Sequence, residues 1–297
     1  MKTTMTLSDI LVALCVVTIW GVNFVVIKIG LDDLPPVLFT ALRFIFAALP
    51  LVFFVKRPQA AWPLVVAYGM FQFAFQFTLL FSGIKLGLPA GLASLVIQLQ
   101  AFFTIGLAVL LLGERPQAVQ LAGALVAFCG MGLVAAHLEG QATLTGFVLV
   151  VLGGMCWALA NIVTKKMGQV NALSLVVWGS LVASPPLLLA SWLMEGQAAW
   201  QLAAHNFSLK SLFTVLFQAY PNTILGFGIW SLLMRRYAAA TIAPFTLLVP
   251  VAGMTSAALI LGEQLEWWKV AAGALVLGGL ALNQFGARLW ARVASPR

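Results

Sequence analysis

Residues 87–114, GLPAGLASLVIQLQAFFTIGLAVLLLGE, form an apolar run long enough to cross a bilayer and end in Leu-Gly-Glu. The run returns in altered form at residues 238–263, AAATIAPFTLLVPVAGMTSAALILGE. Each copy is followed by a second apolar segment with a Gly-Ala-Leu-Val core, at 123–126 and 273–276. A chain of this kind is one membrane unit written twice, and no other feature restricts its fold as much. The repeat is imperfect in one respect. With the two Leu-Gly-Glu ends aligned, Gln98 and Gln100 of the first copy meet leucine and valine in the second.

Composition agrees with a membrane setting. Of 297 residues, 62% are apolar and only 8% charged, and the mean hydropathy is +1.05. A soluble domain carries roughly a quarter charged residues. The longest polar interval, 195–210, is too short for a separate soluble domain. A net charge of +8 could suggest a nucleic-acid partner, but the basic residues stand in ones and twos at helix ends. No nucleic-acid partner is expected; the expected surroundings are the lipid bilayer. Cys15, Cys129 and Cys156 lie in apolar segments and make neither a disulfide framework nor a metal site. The first apolar segment lacks a small-residue cleavage site and reads as a retained helix.

Ten spans can be marked, at about 9–30, 35–55, 62–84, 88–112, 117–136, 143–166, 171–194, 211–234, 238–261 and 267–289. Pro35, Pro36, Pro63, Pro89 and Pro116 stand at helix starts, where a missing amide hydrogen costs nothing. Pro50, Pro185, Pro186, Pro221, Pro244 and Pro250 fall within spans and are expected to kink or locally open them. With the N-terminus inside, the inner side receives Lys2, Lys56, Arg57, Arg115, Lys165, Lys166, Arg235, Arg236, Arg288, Arg292 and Arg297. The outer side receives Lys28, Lys85, Lys210 and Lys269. That excess predicts cytoplasmic termini for a multi-pass membrane protein.

Five spans per half is odd, so the two halves must enter the membrane from opposite sides. The spacing of Trp20 to Lys28 repeats in Trp157 to Lys165, with Asn23 and Asn161 between them, displaced by one position. The expected fold is an all-α polytopic membrane protein, two inverted five-helix repeats around a central cavity. The first repeat covers 1–137 and the second 138–297. Inverted repeats of this kind mark alternating-access transporters.

The charged inventory excludes several chemistries. Asp9, Asp32, Asp33, Glu114, Glu139, Glu195, Glu263 and Glu266 all fall outside span interiors, and His137 and His205 fall in loops. Proton relays through membranes use embedded carboxylates or histidines, so carboxylate-gated antiport is disfavoured. No P-loop and no metal-ligand cluster occurs, and no acid, base and nucleophile set lies at depth. No enzyme activity, cofactor or metal is expected.

The span interiors hold neutral polarity instead. Gln72 and Gln76 share a helical face with Tyr68, and Ser94 shares one with Gln98, while Gln100 projects elsewhere. Trp20 with Asn23, and Trp157 with Asn161, form two further faces. Gln218, Tyr220, Asn222 and Thr223 surround Pro221. Amides unpaired in hydrocarbon cost several kcal/mol, so these must face one another or a watery cavity. The candidate substrate-binding set is Trp20, Asn23, Gln72, Gln76, Gln98, Gln100, Trp157, Asn161, Tyr220 and Asn222. Arg43, inside the second span, either lines the substrate route or holds helix carbonyls as a structural cation. The Gly113-Glu114 and Gly262-Glu263 pairs read as matched helix-end turns, and the Phe-rich run 71–81 as lipid-facing or packing surface.

Several stretches carry a resemblance over nearly the whole chain: TIWGVNFVVIKIGL (18–31), PAGLASLVIQLQAFFTI (89–105), GERPQAVQLAG (113–123), FGIW (227–230) and LLVPVAG (247–253). They resemble the ten-span EamA family of the drug/metabolite transporter superfamily, nearest to its exporters of O-acetylserine and cysteine. The resemblance implies inverted five-helix repeats and a cavity lined mainly by spans 1, 3, 4, 6, 8 and 9. It also implies a small-molecule substrate, an amino acid or amino-acid derivative, exported by alternating access. For such a zwitterion, the carboxylate has amide N–H groups, a helix start or Arg43. The ammonium has only amide or backbone oxygens and the faces of Trp20, Trp157 or Tyr220. Without a charged partner for the ammonium, binding should be weak, as suits an exporter facing high cytoplasmic concentrations. The same fold could instead carry other amino acids, nucleobases or drugs; a non-transport membrane protein or intramembrane enzyme is the reading from another class. The sequence leaves the driving force and the oligomeric state open, a monomer included.

Overall fold

The structure, a computed structural model, describes residues 5–137, 142–237 and 239–294. Lys2, Glu139, Arg297 and the junction that follows residue 137 lie outside the described residues, as do the side chains of Pro244, Arg288 and Arg292.

Eight helical segments among the described residues are long and apolar enough to cross a bilayer. They are α1 (Leu7–Asp33), α2 (Pro36–Phe53), α3 (Trp62–Lys85), α4 (Ala90–Leu112), α5 (Ala118–Ala136), α6 (Leu144–Met167), α7 (Ala172–His205) and α8 (Leu209–Arg236). A ninth, α9 (Phe245–Leu261), is apolar but shorter, and α10 runs over Trp267–Ala294. Among the described residues there is no β-strand. Backbone bonds closed within each helix are what hydrocarbon demands, because no water there can satisfy them.

The packing repeats itself. α5 lies along α10, α2 along α7, and α4 along α9. α1 packs on α9 as α6 packs on α4, and α3 packs on α6 as α8 packs on α1. Exchanging the first five helices for the last five maps this set of pairs onto itself. The irregular turns repeat too. π-helical turns interrupt α3 at Gly69–Phe75 and α8 at Gln218–Leu225. A 3₁₀ turn interrupts α4 at Ile97–Leu99, and another precedes the α-helical part of α9 at Ala243–Leu247.

Helix ends match as closely. Gly113 (φ 68°, ψ 19°) and Gly262 (φ 70°, ψ 21°) take the same left-handed conformation, which a side chain would strain. The following amide then reaches back to a carbonyl six residues earlier, Glu114 to Ala108 at 3.2 Å and Glu263 to Ala257 at 3.3 Å.

Two expectations about the helices are corrected, for α7 and for Pro250. α7 does not stop near residue 194 but continues to His205, broken at Gly196 (φ 77°, ψ 168°). Glu195 and His205 are therefore helical and not in a loop. The reason lies at the start of α2, whose N-cap is Pro35 and which has no side-chain cap of its own. Glu195 supplies one, accepting from the amides of Val37 (2.7 Å) and Leu38 (3.0 Å) and from Ser191 Oγ (2.5 Å). Pro50 opens α2 locally, as expected, with Leu49 before it in an extended conformation (φ −96°, ψ 136°). The α-helical part of α2 ends at Ala48, and a 3₁₀ turn over Leu51–Phe53 follows the proline. Pro250 stands in the first turn of Leu248–Leu261, where no helical bond is lost.

Lipid supplies little drive for helices to associate, so close fit must do so. One such close contact joins α1, α4 and α9. A Cβ on Gly253 would come within 2.5 Å of Ser94 Oγ, and one on Gly21 would collide with Ala252. Beyond this contact every residue of Ala90–Val96 is buried. Pro89, the N-cap there, also lacks a side-chain cap, and Glu263 bridges the amides of Ala90 (2.7 Å) and Gly91 (3.1 Å). A carboxylate from the second half thus closes a proline-capped helix start of the first half twice, at α2 and at α4.

Candidate functional site

Between the two halves lies a cavity of about 250 Å³. Its wall takes Trp20, Asn23 and Phe24 from α1, Arg43 from α2, and Gln72, Gln76, Phe77 and Leu80 from α3. Ile97, Gln98 and Gln100 come from α4, Trp157 from α6, Asn222, Phe227 and Trp230 from α8, and Thr246 and Val249 from the α9 region. The wall draws on the six spans that the resemblance implied, and on α2 through Arg43. None of these lining residues is Asp, Glu or His.

The irregular turns explain why so much polarity converges. In an α-helix, residues five apart point about 140° from each other. A π-turn closes i to i+5 and brings them onto one side. That is how Gln218 and Thr223 both reach the Arg43 guanidinium. Arg43 Nη1 donates to Gln218 Oε1 at 2.7 Å, and Nε and Nη2 donate to Thr223 Oγ1 at 3.2 and 3.0 Å. The Thr223 hydroxyl in turn donates to the Gln218 carbonyl at 2.8 Å. The Phe77 ring lies under the guanidinium, 3.9 Å from Cζ to the ring centroid. Arg43 is 1% exposed, and no ion pair among the described residues involves it. It is both the best-anchored side chain of the wall and its one formal charge.

The 3₁₀ turn in α4 has a comparable effect. Positions two apart differ by about 160° in an α-helix but by about 120° in a 3₁₀-helix. Gln100, expected to project elsewhere, therefore joins Gln98 on the cavity wall. Gln98 makes no hydrogen bond among the described residues, whereas Gln72 Nε2 donates to Gln76 Oε1 at 2.7 Å. Trp20 is fixed by a bond from Nε1 to the Asn222 carbonyl (3.1 Å) and by ring contacts with Phe227 and Trp230, at 5.6 and 5.1 Å between centroids.

Two members of the candidate set stand elsewhere. Asn161 donates to Gln100 Oε1 (2.9 Å) and Thr104 Oγ1 (3.1 Å), tying α6 to α4 without lining the cavity. Tyr220 turns its hydroxyl to the Leu49 carbonyl at 3.3 Å. The other eight, Trp20, Asn23, Gln72, Gln76, Gln98, Gln100, Trp157 and Asn222, line one cavity together with Arg43. Phe24, Phe77, Phe227 and Trp230 complete the wall, where the sequence reading placed none of them; Gln218 and Thr223, read among the interior polar residues but outside the candidate set, hold Arg43. Phe77 in particular belongs to the run read as lipid-facing or packing surface. An α-helical reading of 71–81 puts no special value on that one phenylalanine; the Arg43 guanidinium gives it one.

Residues 7–136, and again 144–285, match the EamA-like transporter family. A Salmonella typhimurium protein named "Probable amino-acid metabolite efflux pump" is 43% identical over 291 residues, covering 96% of this chain and 97% of its own. An Escherichia coli protein of the same name is 40% identical over 290 residues, with 96% and 97% covered. A "Probable terminal-alkyne amino-acid exporter" of Streptantibioticus cattleyicolor is 30% identical over 282 residues, with 91% and 90% covered. A solved structure described only as "Crystal structure of protein" superposes with a TM-score of 0.66 at 18% identity, over 97% of this chain and 99% of its own. That last likeness is one of fold alone.

Proposed function

The chain belongs to the EamA-like transporter family, and from that premise we propose that it exports small zwitterionic amino-acid metabolites, O-acetylserine and cysteine first, by alternating access. The observation that carries this reading is the cavity itself. Both halves wall it, with neutral amides, tryptophans and one buried arginine, and no carboxylate. Pockets for drug-sized ligands run to roughly 300–1,000 Å³. A cavity of about 250 Å³ suits a smaller guest and favours an amino acid over an amphipathic drug. The names of the relatives point the same way.

With both termini in the cytoplasm of a bacterial inner-membrane protein, the 1–137 and 138–297 repeats cross the bilayer in opposite directions. The start of α4 and Glu263 then lie on the outer side. The tie between them, and the burial of Ala90–Val96, support an outer end held shut and a cavity that loads from within. Export follows when the ties exchange and the outer end parts.

Overexpression followed by measurement of cysteine and O-acetylserine in the medium tests this. Expected is a rise in both, and a fall when the protein is deleted. Unchanged cysteine and O-acetylserine alongside raised efflux of a nucleobase or a drug would overturn the substrate class. No change in any of these would overturn export.

A further inference from the structure

The cavity wall holds two buried polar atoms that no donor among the described residues satisfies: Asn23 Oδ1 and Asn222 Oδ1. The two residues are 5% and 3% exposed, and both line the cavity from different helices, α1 and α8. Buried side-chain oxygens are seldom left without a donor, so each such atom asks for an explanation. Neither is a loose side chain. The Asn222 carbonyl accepts from Trp20 Nε1 (3.1 Å) and the Asn23 carbonyl from Gln218 Nε2 (3.4 Å), so the backbone behind each amide is engaged.

The same network ends on Arg43. Gln218 joins Asn23 to the guanidinium, and Thr223, next to Asn222, holds its other side. An arginine has five N–H donors, and the bonds to Gln218 and Thr223 leave two of them open. A cationic donor with open N–H groups and two open acceptors therefore face one small space. The complement of that pattern is a molecule with an anionic acceptor and a cationic donor a short way apart.

We propose that Asn23 Oδ1 and Asn222 Oδ1 seat the substrate ammonium while Arg43 seats its carboxylate, so that the cavity selects free α-amino acids over their desamino and decarboxylated analogues. This rests on the export reading above and gives it a pole-by-pole form. The ammonium is the group that a carboxylate-free wall has most difficulty holding, and two carbonyl dipoles from the two halves are what this wall offers. Because α1 and α8 supply one oxygen each, the seat is complete only while those helices keep this spacing.

Competitive counterflow in proteoliposomes of the full chain tests the assignment, with cysteine as the exchanged substrate. The competitors are 3-mercaptopropionate, which lacks the ammonium, and cysteamine, which lacks the carboxylate. On the wild type, each should compete at least about tenfold more weakly than cysteine, a typical loss when a site's polar group goes unpaired. Asn23→Asp and Asn222→Asp keep the shape and place a carboxylate at the seat. Each should strengthen cysteamine and further weaken 3-mercaptopropionate. These shifts of opposite sign cannot come from misfolding. If the aspartate variants move both competitors by the same factor, or if wild type does not separate them from cysteine, the assignment falls while export stands. Wild-type liposomes with no counterflow of cysteine or O-acetylserine would take down the export reading, and the assignment with it.

Discussion

Gln98 shows how much one side chain can decide here. It stands on the cavity wall, 9% exposed, with no hydrogen-bond partner among the described residues. Gln72 donates to Gln76, and Gln100 accepts from Asn161. Gln98 is thus the glutamine with most left to offer a guest. Gln98→Leu is expected to raise the half-saturation concentration for cysteine export about tenfold, the worth of one neutral hydrogen bond at the upper end of its range. Melting temperature should stay within a few degrees, since no partner is orphaned. Export kinetics and a thermal melt on the same preparation check this, and unchanged export would remove Gln98 from the site. What the sequence made legible is the asymmetry itself, an amide on one copy of a repeat where the other has a leucine. Phe77 was not legible. Its value comes from Arg43 on another helix, and no pattern along α3 separates it from Phe73 or Phe81, which are core.

At the scale of elements, the two carboxylate bridges do what capping side chains usually do. α2 and α4 begin after prolines that provide no side-chain oxygen, and their first amides would otherwise be open. Glu195 and Glu263 close them from the other half of the chain, with the charge placed where a helix dipole favours it. Glu263→Gln leaves one acceptor oxygen for two amides and removes the charge. We expect a loss of about 1.5–3 kcal/mol in that tie, the range for hydrogen bonds to charged groups. Labelling of single cysteines placed along α4 reads it. Reagents added from the outer side should react faster in the variant, and equal rates would show that the tie does not hold that end. Helix existence, order and most limits were legible, because ten apolar runs with short polar turns leave little choice. The extension of α7 was not. A glutamate beside a glycine reads as a loop until its partners, the amides of Val37 and Leu38, are known. The π and 3₁₀ turns were equally hidden, since a helical projection assumes the very period that they break.

The whole molecule carries its polarity in the middle and its carboxylates toward the ends. With no Asp, Glu or His among the described lining residues, the wall has no group suited to take up a proton in each cycle. Cysteine flux in proteoliposomes should therefore change less than about twofold when a pH gradient is imposed; strong acceleration would mean that protons are coupled by residues outside the wall. The packing of the helices adds something to this. Swapping the halves reproduces the same set of neighbours, down to the paired glycine turns at residues 113 and 262. On the export reading, we expect two conformations related by such a swap to lie close in free energy, so that neither acts as a sink. Without proton coupling, the ratio of substrate inside to outside would then set the direction of the cycle. A protein of that kind would work as an overflow valve, draining a surplus down to the level of the surroundings and then stopping.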